Sequence, residues 1–341
     1  MRLRNPLKLL RSTSFAVDAG SSRTVITTAT GDVLLDEPTV IAIDQDNGTV
    51  LATGTEAKSF LGKAPERIRV VKPIVGGVIV DFDAAKRLMQ AFFKRVLPND
   101  GSRVTICACV NCGITALEKR TFSDCFKAAG ISKAHLLSAP LAAALGAVMD
   151  IRAANGSLLL GIGGALAEVS AICLSDIVHC QSQPLGAACF HAAVSHHFAA
   201  THQVAIGENM AEQVTCQLAS ATPDGPSRAL TVTGKNSMTG TPCALDLTEA
   251  DLRGVLDAPL AELAGMVRGV MEKLPAELVA DIADSGLHLY GGGARLAGVA
   301  EWFAHELNLR CRVVGEPELV QVRGAAATLR PDLGYKDLLG K

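Results

Sequence analysis

The sequence predicts an α/β protein built from two like lobes, and three observations carry that expectation. A strand, a turn and two further short strands appear at 15–35 and again at 157–181, an architectural repeat that fits a duplicated chain. Glycine-bearing turns follow apolar strands at 18–24, 161–168 and 290–296. The chain has 341 residues, 49% hydrophobic and 19% charged, which is too long for one simple core and ordinary for a globular protein.

The first apolar strand reads over 15–17 and enters the polar turn DAGSSRT. The chain returns over 25–28, turns at Thr30-Gly31-Asp32, and continues over 33–35 and 39–43. Leu88, Phe92 and Val96 fall at helical spacing within 83–96, where Asp81 or Asp83 can cap the helix. A strand over 104–110, a helix over 117–129 and a short strand at 136–137 follow. Pro140 suits the opening of a helix over 141–149. The second unit supplies strand 157–160, the turn GIGGA at 161–165, strand 168–174, the turn Ser175-Asp176 and strand 177–181. Helices over 187–200 and 208–219 precede a polar loop at 221–228. Thr248 and Asp251 have the spacing of a capping box opening a long helix over 249–273. Strand 287–290 leads through Gly291-Gly292-Gly293 into a helix over 296–307. The expected division is a tail at 1–11, a first lobe of 12–150 with 318–341, and a second lobe of 151–317. Small subdomains are expected at about 32–72 and 183–243.

A net charge of −2 gives no pull toward nucleic acid, and no apolar run is long enough for a membrane-spanning helix. The basic opening MRLRNPLKLLR is followed by no apolar core or cleavage site, so it is not read as a secretory signal. Leu3, Leu7 and Leu10 share one helical face, and Arg2, Arg4, Lys8 and Arg11 supply charge, the pattern of a short helix lying on a membrane surface. Each basic residue contributes about 1 kcal/mol at an anionic leaflet, and Pro6 is tolerated in a first turn. Among ten cysteines, Cys107, Cys109, Cys173 and Cys216 lie in apolar segments, as free buried thiols of a reducing compartment do. Cys107, Cys109 and Cys112 have no second CxxC pair and read as structural. His191, His196, His197 and His202 do not share a helical face and read as surface or core residues.

The glycine turns carry the chemistry. Glycine lets the backbone approach a phosphate, and successive amide N–H groups can cradle it. Turns at the C-terminal ends of sheet strands are where α/β proteins bind ligands. The three turns resemble the phosphate-one, phosphate-two and adenosine motifs of the actin, sugar kinase and heat-shock chaperone ATPase superfamily. Within it the chain is similar to the MreB family, the bacterial actin-like proteins. LLDEPTVIAI (34–43), VKPIVGGVIVDFDAAKRLMQAFFK (71–94), PLAAALGA (140–147), IGENMAEQV (206–214), LPAELVADIADSGLHLYGGGARL (274–296) and RGAA (323–326) carry the resemblance, in order along the chain.

The resemblance implies an actin-like fold with a central nucleotide cleft, ATP with Mg²⁺ as ligand, and filaments under the inner membrane that direct cell shape and peptidoglycan synthesis. Carried over residue by residue, it places Asp18, Gly20, Ser21, Ser22, Arg23, Thr24, Gly163, Gly164, Glu208, Glu212, Gly291, Gly292 and Gly293 around the nucleotide, with Asp18 on the metal. It places Leu3, Arg4, Leu7, Lys8 and Leu10 on the membrane. By residue type alone, Asp18 also suits the cap of a hairpin turn, and Glu208 with Glu212 a solvated helix face.

The departures from the family are chemical. Gly161 stands where the family has an aspartate, Ala165-Leu166-Ala167 where it has threonines, and Ser138-Ala139 where it has two glutamates. Ala188 and His191 replace aspartates, and Thr215 replaces a lysine. ATP hydrolysis needs carboxylate-held Mg²⁺ and a positioned water, and losing both costs several decades of rate. The expectation is therefore ATP binding with weak or no hydrolysis, and no residue is assigned as catalytic. The expected partners are further copies of the chain, a second MreB, the inner membrane surface and the cell-wall elongation machinery, at a cytoplasmic, membrane-peripheral location. Two alternatives stand beside this: a regulatory pseudo-ATPase that co-assembles with an intact MreB, and a phosphotransferase of the sugar-kinase branch. Gly161 and Ala188 argue against the second, which needs a catalytic aspartate in the second lobe.

Overall fold

The computed structural model describes residues 12–97, 103–222 and 228–339, so the amphipathic pattern at 1–11 lies outside the described residues. Two five-stranded sheets form the frame. In the first, Ser12–Ala19 pairs antiparallel with Arg23–Thr28, which pairs antiparallel with Val33–Pro38. On its other side Ser12–Ala19 runs parallel to Arg103–Val110, itself parallel to Lys133–Ser138. In the second, Ser157–Ile162 pairs antiparallel with Ala167–Cys173, and that strand with Asp176–Gln183. Its other neighbour is the parallel Leu287–Tyr290, which runs parallel to Cys311–Val313. Order and direction match strand for strand, so the repeat at 15–35 and 157–181 is a repeat of sheet topology.

Burial explains the central strands. Leu158, Leu159 and Leu160 are all fully buried, as are Ala16 and Val17, because both faces of each sheet are covered. The helices Phe82–Val96 and Ala116–Ala128 cover one face of the first sheet and share its core. Asp81 caps the former, accepting from the Ala84 N–H at 3.0 Å, and a Thr115–Glu118 capping box opens the latter.

A separate core joins the two sheets. It runs from Ala16 and Val25 to Leu159 and Ile172 through the helices Ala139–Gly146 and Val320–Thr328. These two helices meet backbone to backbone. A Cβ on Gly324 would enter the Ala142 carbonyl, and one on Gly146 would enter the Val320 carbonyl. The RGAA segment is thus required by packing at the joint between the sheets.

Two three-stranded sheets stand apart from the frame: Ile41–Asp44 between Val50–Thr53 and Ile68–Val71, and Ala229–Asn236 between Val204–Ala205 and Pro242–Thr248. The structure departs from the sequence expectations in several places. The long helix over 249–273 is a 3₁₀ turn, Glu249–Leu252, and then a helix, Asp257–Met271. The Thr248–Asp251 capping box forms, but it caps the short turn, and Gly254 at φ 73° breaks the path between the two. The helix over 187–200 is Ala187–His197 continued by a π turn, Phe198–His202. The hairpin of Ala229–Asn236 and Pro242–Thr248 was not read from the sequence. Among the described residues, no helix is long and apolar enough to cross a membrane.

Candidate functional site

The ends of the two frame sheets face each other across a cleft with a cavity of about 320 Å³. All three glycine turns reach it: Asp18 and Gly20 to Arg23 from the first sheet, Gly163 and Gly164 from the second, and Gly291 to Gly293 after Leu287–Tyr290. The first two turns are in close approach. A Cβ on Gly164 would lie 2.6 Å from the Ser22 Cβ. The Gly76-Gly77 turn locks onto the same place: the Gly77 N–H donates to Ser21 Oγ at 3.3 Å, and Asn111 Nδ2 donates to the Gly76 carbonyl at 3.3 Å.

Two of the remaining candidates hold framework. Arg23 lines the cavity, but its guanidinium is engaged by Asp36, with Nε donating to Oδ1 at 2.8 Å. Thr24 is buried away from the cavity, its hydroxyl 2.9 Å from that of Thr39, joining the hairpin to the segment at 34–43.

Glu212 lines the cavity and Glu208 does not. Both sit on the helix Glu208–Leu218 and reach across the cleft mouth to lysines of the opposite small sheet region. Lys58 Nζ lies 2.6 and 2.8 Å from the two Glu212 oxygens, and Lys72 pairs with Glu208. On the same helix Cys216, expected as a buried thiol, is exposed and lines the cleft. The cause is helical periodicity: Val214, Thr215 and Leu218 take the inward face.

The floor of the cleft is acidic and poorly solvated. Burial pushes Asp18 up to about 6, against the pull of the Arg23 charge. Asp18 is half-buried and lines the cavity. Glu168 is buried and pushed up to about 7 by that burial. The Cys112 N–H at 2.6 Å and the Ser182 hydroxyl at 3.0 Å both donate to it and work in the opposite direction. The Asp18 charge adds to the rise. His191, which also lines the cavity, has its pKa lowered by burial.

Tyr290 fills the space beside Gly161. It is the register partner of Gly161, and a Cβ on Gly161 would lie 2.6 Å from the Tyr290 hydroxyl oxygen. The ring is buried, its hydroxyl has no hydrogen-bond partner, and burial holds its pKa well above the usual value of 10. Ser138 supplies only a buried, unpartnered hydroxyl, and Ala139 lines the cavity.

This donor set fits a nucleotide better than a metal alone. Among the described residues, no cluster of three or more His, Cys, Asp or Glu could hold a metal ion. Mg²⁺ is commonly held by one or two carboxylates together with substrate phosphates. Asp18, held partly protonated by its surroundings, is the side chain that a divalent cation would relieve. Glu168, Tyr290, Lys58 and Lys72 were missed by sequence reasoning. Glu168 alone had a visible signal, as a lone charge in the apolar strand following GIGGAL.

Residues 12–332 match the model of the MreB/Mbl protein family. The cell shape-determining protein MreB of Escherichia coli (strain K12) is 32% identical over 324 residues, 93% of each chain. The chain belongs to the MreB/Mbl family. Mbl of Bacillus subtilis (strain 168) is 28% identical over 302 residues, 88% of this chain and 91% of its own. MreB5 of Spiroplasma citri, solved with AMPPNP, superposes with a TM-score of 0.89 at 24% identity, covering 93% of this chain and 96% of its own. MamK, solved as a double helical filament, gives 0.78 at 16% identity, covering 94% and 99%. The fold is therefore actin-like. The chain is an MreB-family, cell shape-determining type of protein whose cleft is lined by the three glycine turns.

Proposed function

We propose that this MreB-family chain is a filament-forming cytoskeletal subunit that binds an adenine nucleotide in its cleft and hydrolyses it weakly or not at all. One observation carries the reading. The backbone turns that would cradle phosphates converge on one cavity, while Tyr290 occupies the space beside Gly161 that a metal-orienting carboxylate needs. The Spiroplasma citri relative, solved with AMPPNP and with ADP, supports nucleotide binding. Bound Mg²⁺ would neutralise phosphate charge. Asp18 would face that ion, Gly291 to Gly293 would border the adenosine, and Glu212 with Lys58 would close the mouth.

The lobes are proposed as 12–150 with 318–341 and as 151–317. Contacts between subunits run lengthwise, and residues 1–11 place the filament on the inner membrane surface beside the cell-wall elongation machinery. A specific observation also favours a second reading, a regulatory subunit that assembles only with an intact MreB: Gly161, Ser138-Ala139 and Ala188 leave no side chains to time hydrolysis.

Purified full-length protein is the test. The expected result is saturable binding of a fluorescent ATP analogue, phosphate release far below that of an intact MreB, and pelleting that is indifferent to ATP or ADP. Deleting 1–11 is expected to abolish salt-sensitive co-sedimentation with anionic vesicles. Pelleting only when a cognate MreB is added selects the regulatory reading. Turnover matching an intact MreB, or a monomer under every condition, overturns both.

A further inference from the structure

Beside Glu168, two cysteines from opposite sheets meet. Cys112 follows the strand Arg103–Val110 of the first sheet, and Cys180 lies on Asp176–Gln183, the edge strand of the second. The backbone around Cys112 is clamped to the second sheet on both sides. Its N–H donates to Glu168 Oε1 at 2.6 Å, and its carbonyl accepts from the Ser182 hydroxyl at 3.3 Å. Ser182 and Cys180 are two residues apart on one strand and so share a face. The Cys180 sulfur also receives the Ser170 hydroxyl at 3.3 Å, across a direct register pair.

These contacts bring the Cys112 loop against the strand face that carries Cys180, and each thiol perturbs the ionisation of the other. Cys180 beside it holds the Cys112 thiol below the usual range, while the same contact drives Cys180 up. Both residues are half-buried, which leaves them reachable by a small oxidant. Other cysteines behave differently. Cys109, Cys173, Cys189, Cys243 and Cys311 direct their sulfurs at backbone carbonyls, and Cys107 and Cys125 are buried.

The geometry points to Cys112 and Cys180 as a redox pair that closes to a disulfide when a peroxide reaches it, fastening the two sheets together beside the cleft. The Cys112 thiolate sulfur attacks one peroxide oxygen, the O–O bond breaks, and hydroxide leaves as a sulfenic acid forms. The Cys180 sulfur then attacks the Cys112 sulfur. The S–S bond forms, the S–O bond breaks, and the Cys180 proton leaves with the departing hydroxide as water. Two thiols and one hydrogen peroxide give one disulfide and two waters, with sulfur oxidised and peroxide reduced. The new bond joins segments on either side of the joint between the sheets, so it resists their relative movement. It does not depend on whether nucleotide is bound.

The experiment treats full-length protein with hydrogen peroxide, blocks the remaining thiols, and maps peptides without reduction. A peptide linking Cys112 to Cys180, lost on adding dithiothreitol, is expected. In Cys112→Ser and Cys180→Ser the link is absent and the remaining partner is recovered blocked. Oxidised protein is expected to melt above reduced protein, with no such rise in either serine variant. The proposal is overturned if peroxide doses that oxidise exposed Cys216 leave no 112–180 link. It is equally overturned if the melting rise persists in the serine variants.

Discussion

The two frame sheets carry the same strands in the same order, yet their first strands end in opposite chemistry. Asp18-Ala19-Gly20 closes one and Gly161-Ile162-Gly163 the other. Asp18 lies between Val25 and Cys109 in register, which leaves its carboxyl room to face the cavity. Gly161 lies between Glu168 and Tyr290, so a carboxyl stands on the neighbouring strand and an aromatic ring fills the space beside the glycine. The comparison separates two kinds of constraint. Strand order is held by buried apolar runs that cannot change alone. Cleft side chains add little to the core, and a buried carboxylate costs stability, so packing does not hold them.

The framework half of that comparison is broken most directly at the joint shared by both sheets. Gly324→Val is expected to destabilise at or beyond the upper end of the roughly 1–3 kcal/mol typical of overpacking, because the new atoms enter a backbone carbonyl. Gly292→Ala, with nothing within 4 Å of its added carbon, is the control, expected within about 0.5 kcal/mol. Urea melts measure both.

The carboxyl beside Gly161 is read through pH. The folded state holds a proton on Glu168 up to about 7, while the unfolded chain releases it near the ordinary value of 4.5. Folded protein therefore binds more protons across that window, and stability falls as pH rises through it, by roughly 3 kcal/mol from this residue. Asp18 adds the same sign between 3.8 and about 6. Melts in the absence of divalent cations are expected to show the decline, and Glu168→Gln to remove most of it. An unchanged slope in that variant would show that Glu168 is already ionised.

The exchange of carboxylate for ring is tested by a double-mutant cycle. Gly161→Ala is expected to cost about 1–3 kcal/mol alone and distinctly less in a Tyr290→Ala background. Additive effects would mean that the ring does not fill the site. The smallest effect belongs to the mouth: Glu208→Gln and Glu212→Gln are expected to cost about 0.2–1 kcal/mol each, fading with salt. Their lysine partners are partly exposed.

Much of the frame was legible because it is local. The apolar runs at 15–17, 104–110 and 157–160, and the turns after the first and third, are patterns within a few residues. Asp81 and Thr115 cap their helices through atoms three residues away. The hairpin at 229–248 was not legible, since its strands are mostly exposed with Val232 and Leu247 as buried points, a weak alternation. In the cleft, the turns could be read and their surroundings could not. Gly161 meets Tyr290, Glu212 meets Lys58, and Cys112 meets Cys180 only after the sheets have come together. No spacing in the chain announces contacts of that kind.

Tyr290 has one consequence beyond sterics. The chain holds two tyrosines and a single tryptophan. Tyr335 sits beneath the Arg152 guanidinium, 5.1 Å from its ring centre, and Trp302 packs edge-on to Phe303 in the helix Val299–Leu307. Tyr290 alone borders the cavity, in a dry setting with its hydroxyl unpaired. A phenol in such surroundings absorbs at a different wavelength from one in contact with water or a cation. The protein thus carries a chromophore at the floor of its cleft, and a ligand that reaches the Tyr290 hydroxyl is expected to shift the tyrosine band.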